Sequence, residues 1–214
     1  MKRVRQETMY YCGPAVLQML LNFKAVDRSQ RSLVDAAEIH HKIAQYGMYI
    51  DELAKAVERS APEYQFWHKH YSTIDELSRL VNEFNYPVGV AWQGVFDYDD
   101  DDDEEEEEEG QGDDDDPGHY SVVTHISKQE NVVQLSDPFK YYAGTDRKFT
   151  VLEFERRWWD INDAIDPVTG KKYQQDDYHT MFIITRKSED FPAALGMVRG
   201  GTYAHHSGVI TSST

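Results

Sequence analysis

The apolar run that begins at Ala15 constrains the fold more than any other stretch of this chain. Its large apolar side chains are too closely spaced for one amphipathic stripe: Val16, Leu17, Met19, Leu20, Leu21 and Phe23. This pattern predicts a helix that is buried on most of its sides. Gly13 and Pro14 fit its first turn, because proline tolerates the first helical positions and glycine permits close backbone contacts. Other elements must therefore pack around an N-terminal helix.

The only cysteine in the chain, Cys12, lies at the predicted start of that helix, where we expect it to be the N-cap. Unpaired N–H groups and the positive end of the helix dipole favour the thiolate there, which is the reactive form of cysteine. Gln6 lies six residues upstream, and its amide can donate to an oxyanion together with the backbone N–H of Cys12. A lone cysteine is more often an inert buried residue. This context nevertheless favours a nucleophile.

Length and composition predict one globular domain. The 214 residues are 40% hydrophobic and 13% aromatic, and no repeat or linker divides the sequence. No apolar stretch approaches the ~18 residues of a membrane span, and no signal-peptide pattern follows the basic N-terminus. A single cysteine excludes an internal disulfide, cysteine-rich zinc sites and CxxC chemistry. We expect a cytoplasmic protein with no metal and no cofactor.

The net charge of −17 comes almost entirely from one acidic run. Residues 97–116 contain 16 of the 39 acids, which leaves 23 acids against 22 bases elsewhere. Charge repulsion and the near-absence of apolar side chains predict a disordered insertion over 97–117. A solvated insertion is the simplest interpretation, and a flap that responds to calcium or attracts basic substrates is the alternative. The acidity argues against a nucleic-acid partner, which needs a basic surface.

The remaining periodicity predicts an α+β protein. Helices are expected over about 32–46 with Ser29 or Ser32 as the cap, from Asp51, and after capping boxes at Thr73 and Thr150. Strands are expected over 64–71, 87–92, 118–126, 131–136 and 179–185. The helix between the first two strands suggests a crossover, so we expect this part of the sheet to be locally parallel. Small and polar residues dominate from 188 onward, so we expect 188–214 to be a loosely ordered tail.

The strands over 118–126 and 131–136 are predicted to form an antiparallel hairpin. His119 begins the first of these strands, and Asp137 follows the second, where Pro138 ends the strand. The hairpin can therefore bring the imidazole and the carboxylate side by side, although they are far apart in the sequence.

Two other groups of side chains carry weaker signals. His68 and His70 share one face of a predicted strand, but no acidic or histidine partner follows nearby, which favours a structural role over a metal site. Trp92, Trp158 and Trp159 can line a groove, although aromatic residues of this kind belong more often to the core.

The order of Gln6, Cys12-Gly-Pro-Ala, Gly-His119-Tyr and Asp137-Pro resembles the papain-like cysteine peptidases. It is most similar to the C39 and C39-like peptidase domains, which include the bacteriocin leader-processing peptidases. The likeness extends from about residue 4 to about residue 186. It implies a papain-like fold over residues 1–187, in which an N-terminal helical half carries the nucleophile helix and packs on a mostly antiparallel sheet.

By this resemblance, Cys12 is the nucleophile and His119 is the general base and then the general acid. Asp137 orients the imidazole, and Gln6 is the oxyanion donor. The implied activity is hydrolysis of a peptide bond in a peptide or protein substrate. One departure is Tyr11, which stands where the family commonly has an acidic residue. The membrane and ATPase domains of the transporter-borne members also have no counterpart in this sequence.

Two other functions remain open from the sequence. The same order of residues occurs in phytochelatin synthases, which transfer an acyl group, but many of those enzymes carry a cysteine-rich region and this chain has one cysteine. The other alternative is a binding or regulatory domain whose catalytic site is inactive, because a fold can be retained after its activity is lost. The sequence does not predict an oligomeric state.

Overall fold

The computed structural model describes residues 1–94, 118–165 and 172–200. The predicted disordered insertion 97–117 lies outside the described residues. The helices are α1 Cys12–Phe23, α2 Gln30–Ala37, α3 Ile43–Tyr46, α4 Ile50–Ser60, α5 Ile74–Ser78, α6 Val151–Arg157 and α7 Phe191–Ala194. A π-helical turn, Arg79–Glu83, continues α5. The strands are β1 Tyr64–Lys69, β2 Val88–Gln93, β3 Gly118–Ser127, β4 Val132–Ser136, β5 Asp146–Phe149, β6 Ile161–Ile165, β7 Lys172–Asp176, β8 Met181–Arg186 and β9 Val198–Arg199.

Seven strands form one sheet in the order β5-β4-β3-β2-β8-β1-β9, and each neighbouring pair is antiparallel. Strands β6 and β7 form a separate two-stranded sheet. The predicted hairpin of β3 and β4 is confirmed. Strands β1 and β2 run in the same direction, as the predicted crossover requires. The prediction of a locally parallel sheet is wrong, because β8 lies between these strands and pairs antiparallel with both. Five of the six residues of β8 are buried, so this strand is stable only where both sheet faces are covered.

The two faces of the sheet bury different helices. Helices α1, α2 and α4 pack on one face, where Phe66, Tyr120 and Phe182 belong to the same apolar cluster. Helices α5 and α6 cover the other face, with Trp92 and Trp158 in its core. This arrangement confirms the predicted α+β class, with an N-terminal helical half packed on a mostly antiparallel sheet.

Helix α1 is buried on most of its sides, as predicted. Eight of its residues are buried: Gly13, Pro14, Ala15, Val16, Leu17, Met19, Leu20 and Leu21. Cys12 is the first helical residue, and the N-cap is Tyr11 rather than Cys12. A Cβ atom at Gly13 would lie 3.2 Å from the Cδ2 of Leu53 in α4 and 3.5 Å from the Cδ2 of Tyr120 in β3. The absence of a side chain at this position lets the start of α1 approach both α4 and β3.

The predicted helix over 32–46 is divided into α2 and α3. Ser29 caps α2 as expected, because its Oγ accepts a hydrogen bond from the backbone N–H of Ser32 at 3.1 Å. Glu38 ends α2 in the left-handed region at φ 64°, a conformation that cannot continue a right-handed helix. The capping boxes at Thr73 and Thr150 are both present. Tyr49, not Asp51, is the N-cap of α4.

The sequence predicts a loosely ordered tail over 188–214, of which 201–214 lie outside the described residues, whereas 188–200 contain regular structure. Helix α7 packs Phe191 against Phe84, with ring centroids 4.6 Å apart, and Met197 is buried. Strand β9 then pairs with β1, where Trp67 lies opposite Arg199. This segment therefore extends the sheet and the second core beyond the predicted domain boundary at residue 187.

Among the described residues, no helix combines the length and the apolar character that crossing a bilayer requires. The predicted cytoplasmic location stays a prediction.

Candidate functional site

The hairpin of β3 and β4 brings His119 and Asp137 together. His119 lies near the start of β3, and Asp137 directly follows β4. The Nε2 of His119 donates a hydrogen bond to the Oδ1 of Asp137 at 2.8 Å. Both residues are buried, with 5% and 1% of their surface exposed. An ionised carboxylate that is this well shielded from water requires several hydrogen-bond donors to remain stable.

Asp137 receives these donors from three directions. Besides the bond from His119, its Oδ1 accepts the backbone N–H of Phe139 at 2.9 Å. Its Oδ2 accepts the Nη1 of Arg147 at 2.7 Å. Burial raises the pKa of Asp137. His119, the Phe139 N–H and Arg147 lower it more strongly, so the resulting pKa is about 2. The carboxylate is therefore ionised at neutral pH.

Sequence reasoning missed Arg147. This residue belongs to β5, and its guanidinium lies 3.7 Å from the ring centroid of Tyr142. The side chain is only 9% exposed. Three of the four residues of Asp146–Phe149 are charged, as is typical of a solvated turn, so the sequence does not indicate that Arg147 is buried. Its one clue is that Arg147 and Phe149 stand two positions apart and thus share one strand face.

Cys12 interacts with the same imidazole, that of His119. Its thiol is partly buried and forms a hydrogen bond with the imidazole. Since the Nε2 of His119 faces Asp137, the Nδ1 is the ring nitrogen left for Cys12. The close approach of Gly13 to Tyr120 explains this placement. Gly13, which follows Cys12, packs against Tyr120, which follows His119.

The electrostatics of His119 follow from these neighbours. Burial lowers the pKa of His119, but the charge and hydrogen bond of Asp137 and the contact with Cys12 raise it more strongly, to about 10. The imidazole is therefore protonated at neutral pH. A positive imidazolium beside a thiol stabilises the thiolate. In this arrangement the sulfur can attack while the imidazolium donates its proton to a leaving group.

Gln6 lies beside this group but is engaged elsewhere. Its backbone N–H donates to the carbonyl of Pro138 at 2.8 Å, next to Asp137. Its Nε2 donates to the carbonyls of Thr8 and Met9, each at 2.9 Å. Both amide hydrogens are therefore used within the segment that leads to Cys12. The Oε1 atom is buried and has no hydrogen-bond partner in the described part of the chain.

His68 and His70 are held by protein groups. The Nδ1 of His68 lies 2.6 Å from the carbonyl oxygen of Gly200. The Nδ1 of His70 lies 2.7 Å from the Oγ1 of Thr180. Burial, followed by the neighbouring charge of His68, lowers the pKa of His70 to about 4. Because burial lowers the pKa of both histidines, His68 and His70 are uncharged near neutral pH and form part of the protein interior.

Comparisons with known proteins place this geometry in context. Residues 1–165 match the Peptidase_C39 like family. The fold is similar to the peptidase domain of Streptococcus ComA, described as a bifunctional ABC transporter involved in a quorum-sensing pathway. That match has a TM-score of 0.52 and 16% sequence identity, and it covers 87% of this chain and 98% of the other. No curated protein sequence matches this chain.

Proposed function

We propose that this chain, which belongs to the Peptidase_C39 like family, is a cysteine-type peptidase that hydrolyses a peptide bond in a peptide or protein substrate. Family and fold support a peptidase-like domain. The observation that carries the finer proposal is that one imidazole, His119, is hydrogen-bonded to the carboxylate of Asp137 at 2.8 Å and also interacts with Cys12. We assign the three residues the roles of nucleophile, general acid–base and orienting carboxylate.

The proposed reaction begins from a thiolate–imidazolium pair, in which the proton of Cys12 already resides on His119. The thiolate attacks the substrate carbonyl carbon and forms a C–S bond. His119 then protonates the leaving amine as the C–N bond breaks, which leaves a thioester on Cys12. Water attacks this thioester and gives a proton to His119, and the C–S bond breaks to release the acid. Asp137 stabilises the imidazolium each time it forms.

The tetrahedral intermediates carry a negative oxygen that requires donors. The backbone N–H of Cys12 is available for this role, because the first N–H groups of a helix have no partner within the helix. We assign Gln6 as the second donor. For that role its Nε2 must exchange its bond to one of the carbonyls of Thr8 and Met9 for a bond to the oxyanion.

Arg147 supports the reaction as a positioning residue. Its bond to Oδ2 leaves Oδ1 of Asp137 directed at His119. A guanidinium held against the Tyr142 ring has little freedom, so it restricts the rotation of the carboxylate. It also keeps this carboxylate ionised.

A reactivity test addresses the proposal directly. Iodoacetamide should alkylate Cys12 much faster in the unmodified protein than in His119→Ala, because the variant lacks the base that produces the thiolate. His125→Ala is the matched control, since this histidine lies on the same strand with its side chain about half exposed. Equal alkylation rates in the unmodified protein and in His119→Ala would contradict the proposal.

Incubation with a peptide library, followed by mass spectrometry, tests the reaction itself. Hydrolysis should add one water to each cleaved peptide and should be absent from Cys12→Ala. Adding a primary amine distinguishes acyl transfer, since transfer yields amide products instead of free acids. A protein with a reactive Cys12 that cleaves no library member would favour the silent binding domain.

A further inference from the structure

Gln30, the first residue of α2, is a glutamine that is almost completely buried. Only 1% of its surface is exposed. A buried side-chain amide is stable only when its oxygen and its N–H groups have hydrogen-bond partners. The partners of this amide therefore account for a polar side chain in the interior of the helical half.

The amide of Gln30 binds the backbone before and after Gln6. Its Nε2 donates to the carbonyl of Arg5 at 2.7 Å. Its Oε1 accepts the N–H of Glu7 at 2.9 Å. We call this pair of bonds the backbone clamp. One planar amide thus holds the chain around Gln6 at two points, much as a paired strand would.

The same amide joins this segment to α1. The Nε2 of Gln30 also donates to the Oε1 of Gln18 at 3.2 Å. Gln18 belongs to α1, six residues after Cys12. The donors and the acceptor of the Gln30 amide are therefore all in use. A single side chain connects the segment that carries Gln6 with the helix that carries the candidate nucleophile.

A further hydrogen bond fixes Gln6 from the side of the sheet. The backbone N–H of Gln6 donates to the carbonyl of Pro138 at 2.8 Å, one residue after Asp137. Together with the backbone clamp, this bond holds three successive residues, 5–7, between α2 and the segment that follows β4. The backbone of Gln6 thus has little freedom to shift, so rotation of its side chain is the motion that remains.

This restriction matters for the oxyanion donor. An oxyanion donor is effective when its position is fixed before the negative charge develops. The Nε2 of Gln6 is bonded to the carbonyls of Thr8 and Met9, so its side chain must rotate to reach the oxyanion. A rotating side chain reaches the same place each time only if its backbone stays fixed relative to Cys12.

We infer that Gln30 is a positioning residue for the oxyanion donor. The backbone clamp keeps Gln6 at a fixed place relative to the start of α1, so that the amide of Gln6 reaches the oxyanion by side-chain rotation alone. The inference rests on the proposed peptidase function. Gln30 acts through Gln6 and takes no direct part in the reaction.

The test compares two reactions of Cys12, of which only one develops an oxyanion. With p-nitrophenyl acetate, the sulfur attacks the carbonyl carbon, an oxyanion forms, and the C–O bond breaks to release p-nitrophenolate and leave a thioester. With iodoacetamide, the sulfur displaces iodide from a saturated carbon and no oxyanion forms. The rate of p-nitrophenolate release by Cys12→Ala is subtracted, because other side chains also react with the ester.

Replacing Gln30 by Met removes the backbone clamp at a similar side-chain volume, since methionine has no N–H donor and only a weak acceptor. Gln30→Met should lower the acetylation rate of Cys12 by about tenfold or more, because a small misplacement of a catalytic group has a large effect on rate. Its alkylation rate should stay the same. In Gln6→Ala, adding Gln30→Met should cause no further loss of acetylation, because Gln30 acts only through Gln6.

Gln65→Met is the matched control for the loss of a buried amide. Gln65 lies on β1 with 7% of its surface exposed, and its Nε2 donates to the carbonyls of Arg186 at 3.3 Å and Glu189 at 2.8 Å. This variant should keep the ratio of acetylation to alkylation of the unmodified protein. If circular dichroism shows that Gln30→Met does not fold, Gln30→Asn replaces it, because an amide that is one methylene shorter cannot reach both ends of the backbone clamp.

Three results would overturn the inference. The first is an acetylation rate that is unchanged in the folded Gln30 variant. The second is an equal fall in acetylation and alkylation, which would mean that Gln30 supports the fold or the reactive centre as a whole. The third is a further fall in acetylation when the Gln30 substitution is added to Gln6→Ala.

Failure of the proposed function gives a different result. In that case iodoacetamide alkylates Cys12 equally fast in the unmodified protein and in His119→Ala, and acetylation cannot report on Gln6. Hydrogen exchange of the backbone amides of Gln6 and Glu7, measured by NMR, then tests the backbone clamp by itself. Gln30→Met should speed both exchange rates by about tenfold or more, whereas Gln65→Met should not. Unchanged exchange in Gln30→Met would overturn the backbone clamp.

Discussion

Arg147 donates a hydrogen bond to the Oδ2 of Asp137 at 2.7 Å, while the Oδ1 of the same carboxylate accepts from His119 at 2.8 Å. The two oxygens of one buried carboxylate are thus divided between a permanent cation and an imidazole. A carboxylate bound by only one of its oxygens could rotate away from His119. The guanidinium removes this freedom.

Replacing Arg147 by Met should lower both stability and activity. Removing one partner of a buried ion pair leaves the other charge uncompensated, which costs about 3 kcal/mol of unfolding free energy. The acid limb of the pH profile of kcat/KM should move to higher pH, because the pKa of Asp137 rises without the guanidinium. Urea denaturation and the pH profile measure the two effects. Arg147→Lys should restore part of the activity.

Lys148→Met is the control for Arg147, since Lys148 neighbours it on β5 with an exposed side chain. This variant should retain the stability and the pH profile of the unmodified protein. If Arg147→Met lowers stability but leaves the pH profile unchanged, Arg147 contributes packing alone and does not position the carboxylate.

Stability should fall on the alkaline side as His119 loses its proton. The pKa of His119 is about 10 in the folded protein and about 6.5 in an unfolded chain. Because the folded pKa is the higher one, the contribution is fully present below pH ~6.5 and is lost as the pH rises to ~10. Urea midpoints between pH 6 and 10 should therefore decrease in the unmodified protein. The decrease should be smaller in His119→Phe, and a parallel decrease in both proteins would contradict the assignment.

The acid side should show the opposite dependence through Asp137. Its pKa is about 2 in the folded protein, below the ordinary value of 3.8. This stabilisation is present above pH ~4 and is lost as the pH falls through ~2, because the unfolded chain binds the proton first. Comparing urea midpoints of the unmodified protein and Asp137→Asn at pH 6 and pH 2 should show a difference that shrinks on acidification. A constant difference would mean that the charge of Asp137 does not matter.

Gln6→Ala should separate the oxyanion role from a structural one. Loss of one oxyanion donor lowers kcat by about 100-fold. Alkylation of Cys12 by iodoacetamide forms no oxyanion, so its rate should stay the same. If both rates fall together, Gln6 acts only by holding the segment that leads to Cys12 through the carbonyls of Thr8 and Met9. Gln45→Ala, an exposed glutamine on α3, is the matched control.

Substitutions in residues 188–200 test whether this segment belongs to the folded domain. Phe191→Ala and Met197→Ala should each lower the unfolding free energy by about 2 kcal/mol or more, because they remove packed apolar side chains. Val198→Ala, which is 43% exposed, should change it by less than about 0.5 kcal/mol. Urea denaturation of the full chain gives these values. Negligible effects at all three positions would support the loosely ordered tail that the sequence predicts.

The features that sequence reasoning located correctly depend on short stretches of chain. Helix α1 follows from the density of its apolar residues, and the capping boxes at Thr73 and Thr150 follow from side chains three residues apart. The hairpin of β3 and β4 follows from two apolar strands and a short turn, and this turn is sufficient to place His119 beside Asp137.

The predictions were wrong where a strand or side chain packs against residues that are distant in the sequence. The position of β8 between β1 and β2 requires a strand more than 80 residues downstream of β2 in the sequence. Trp159 carried no signal that separated it from Trp158, yet Trp159 is 36% exposed and Trp158 is fully buried. Local composition is the same for both, so burial was decided by the surrounding elements.

Patterns within short stretches of sequence predict a buried helix next to Cys12, a hairpin that joins His119 to Asp137, and a family to which their order belongs. Three features are visible only in the folded chain: Arg147 completes the carboxylate site, loop carbonyls hold Gln6, and strand β9 forms one edge of the sheet. The physical reason is the range of the interactions. Periodicity and capping act within a few residues, whereas a buried charge finds its partner only after distant strands have packed together.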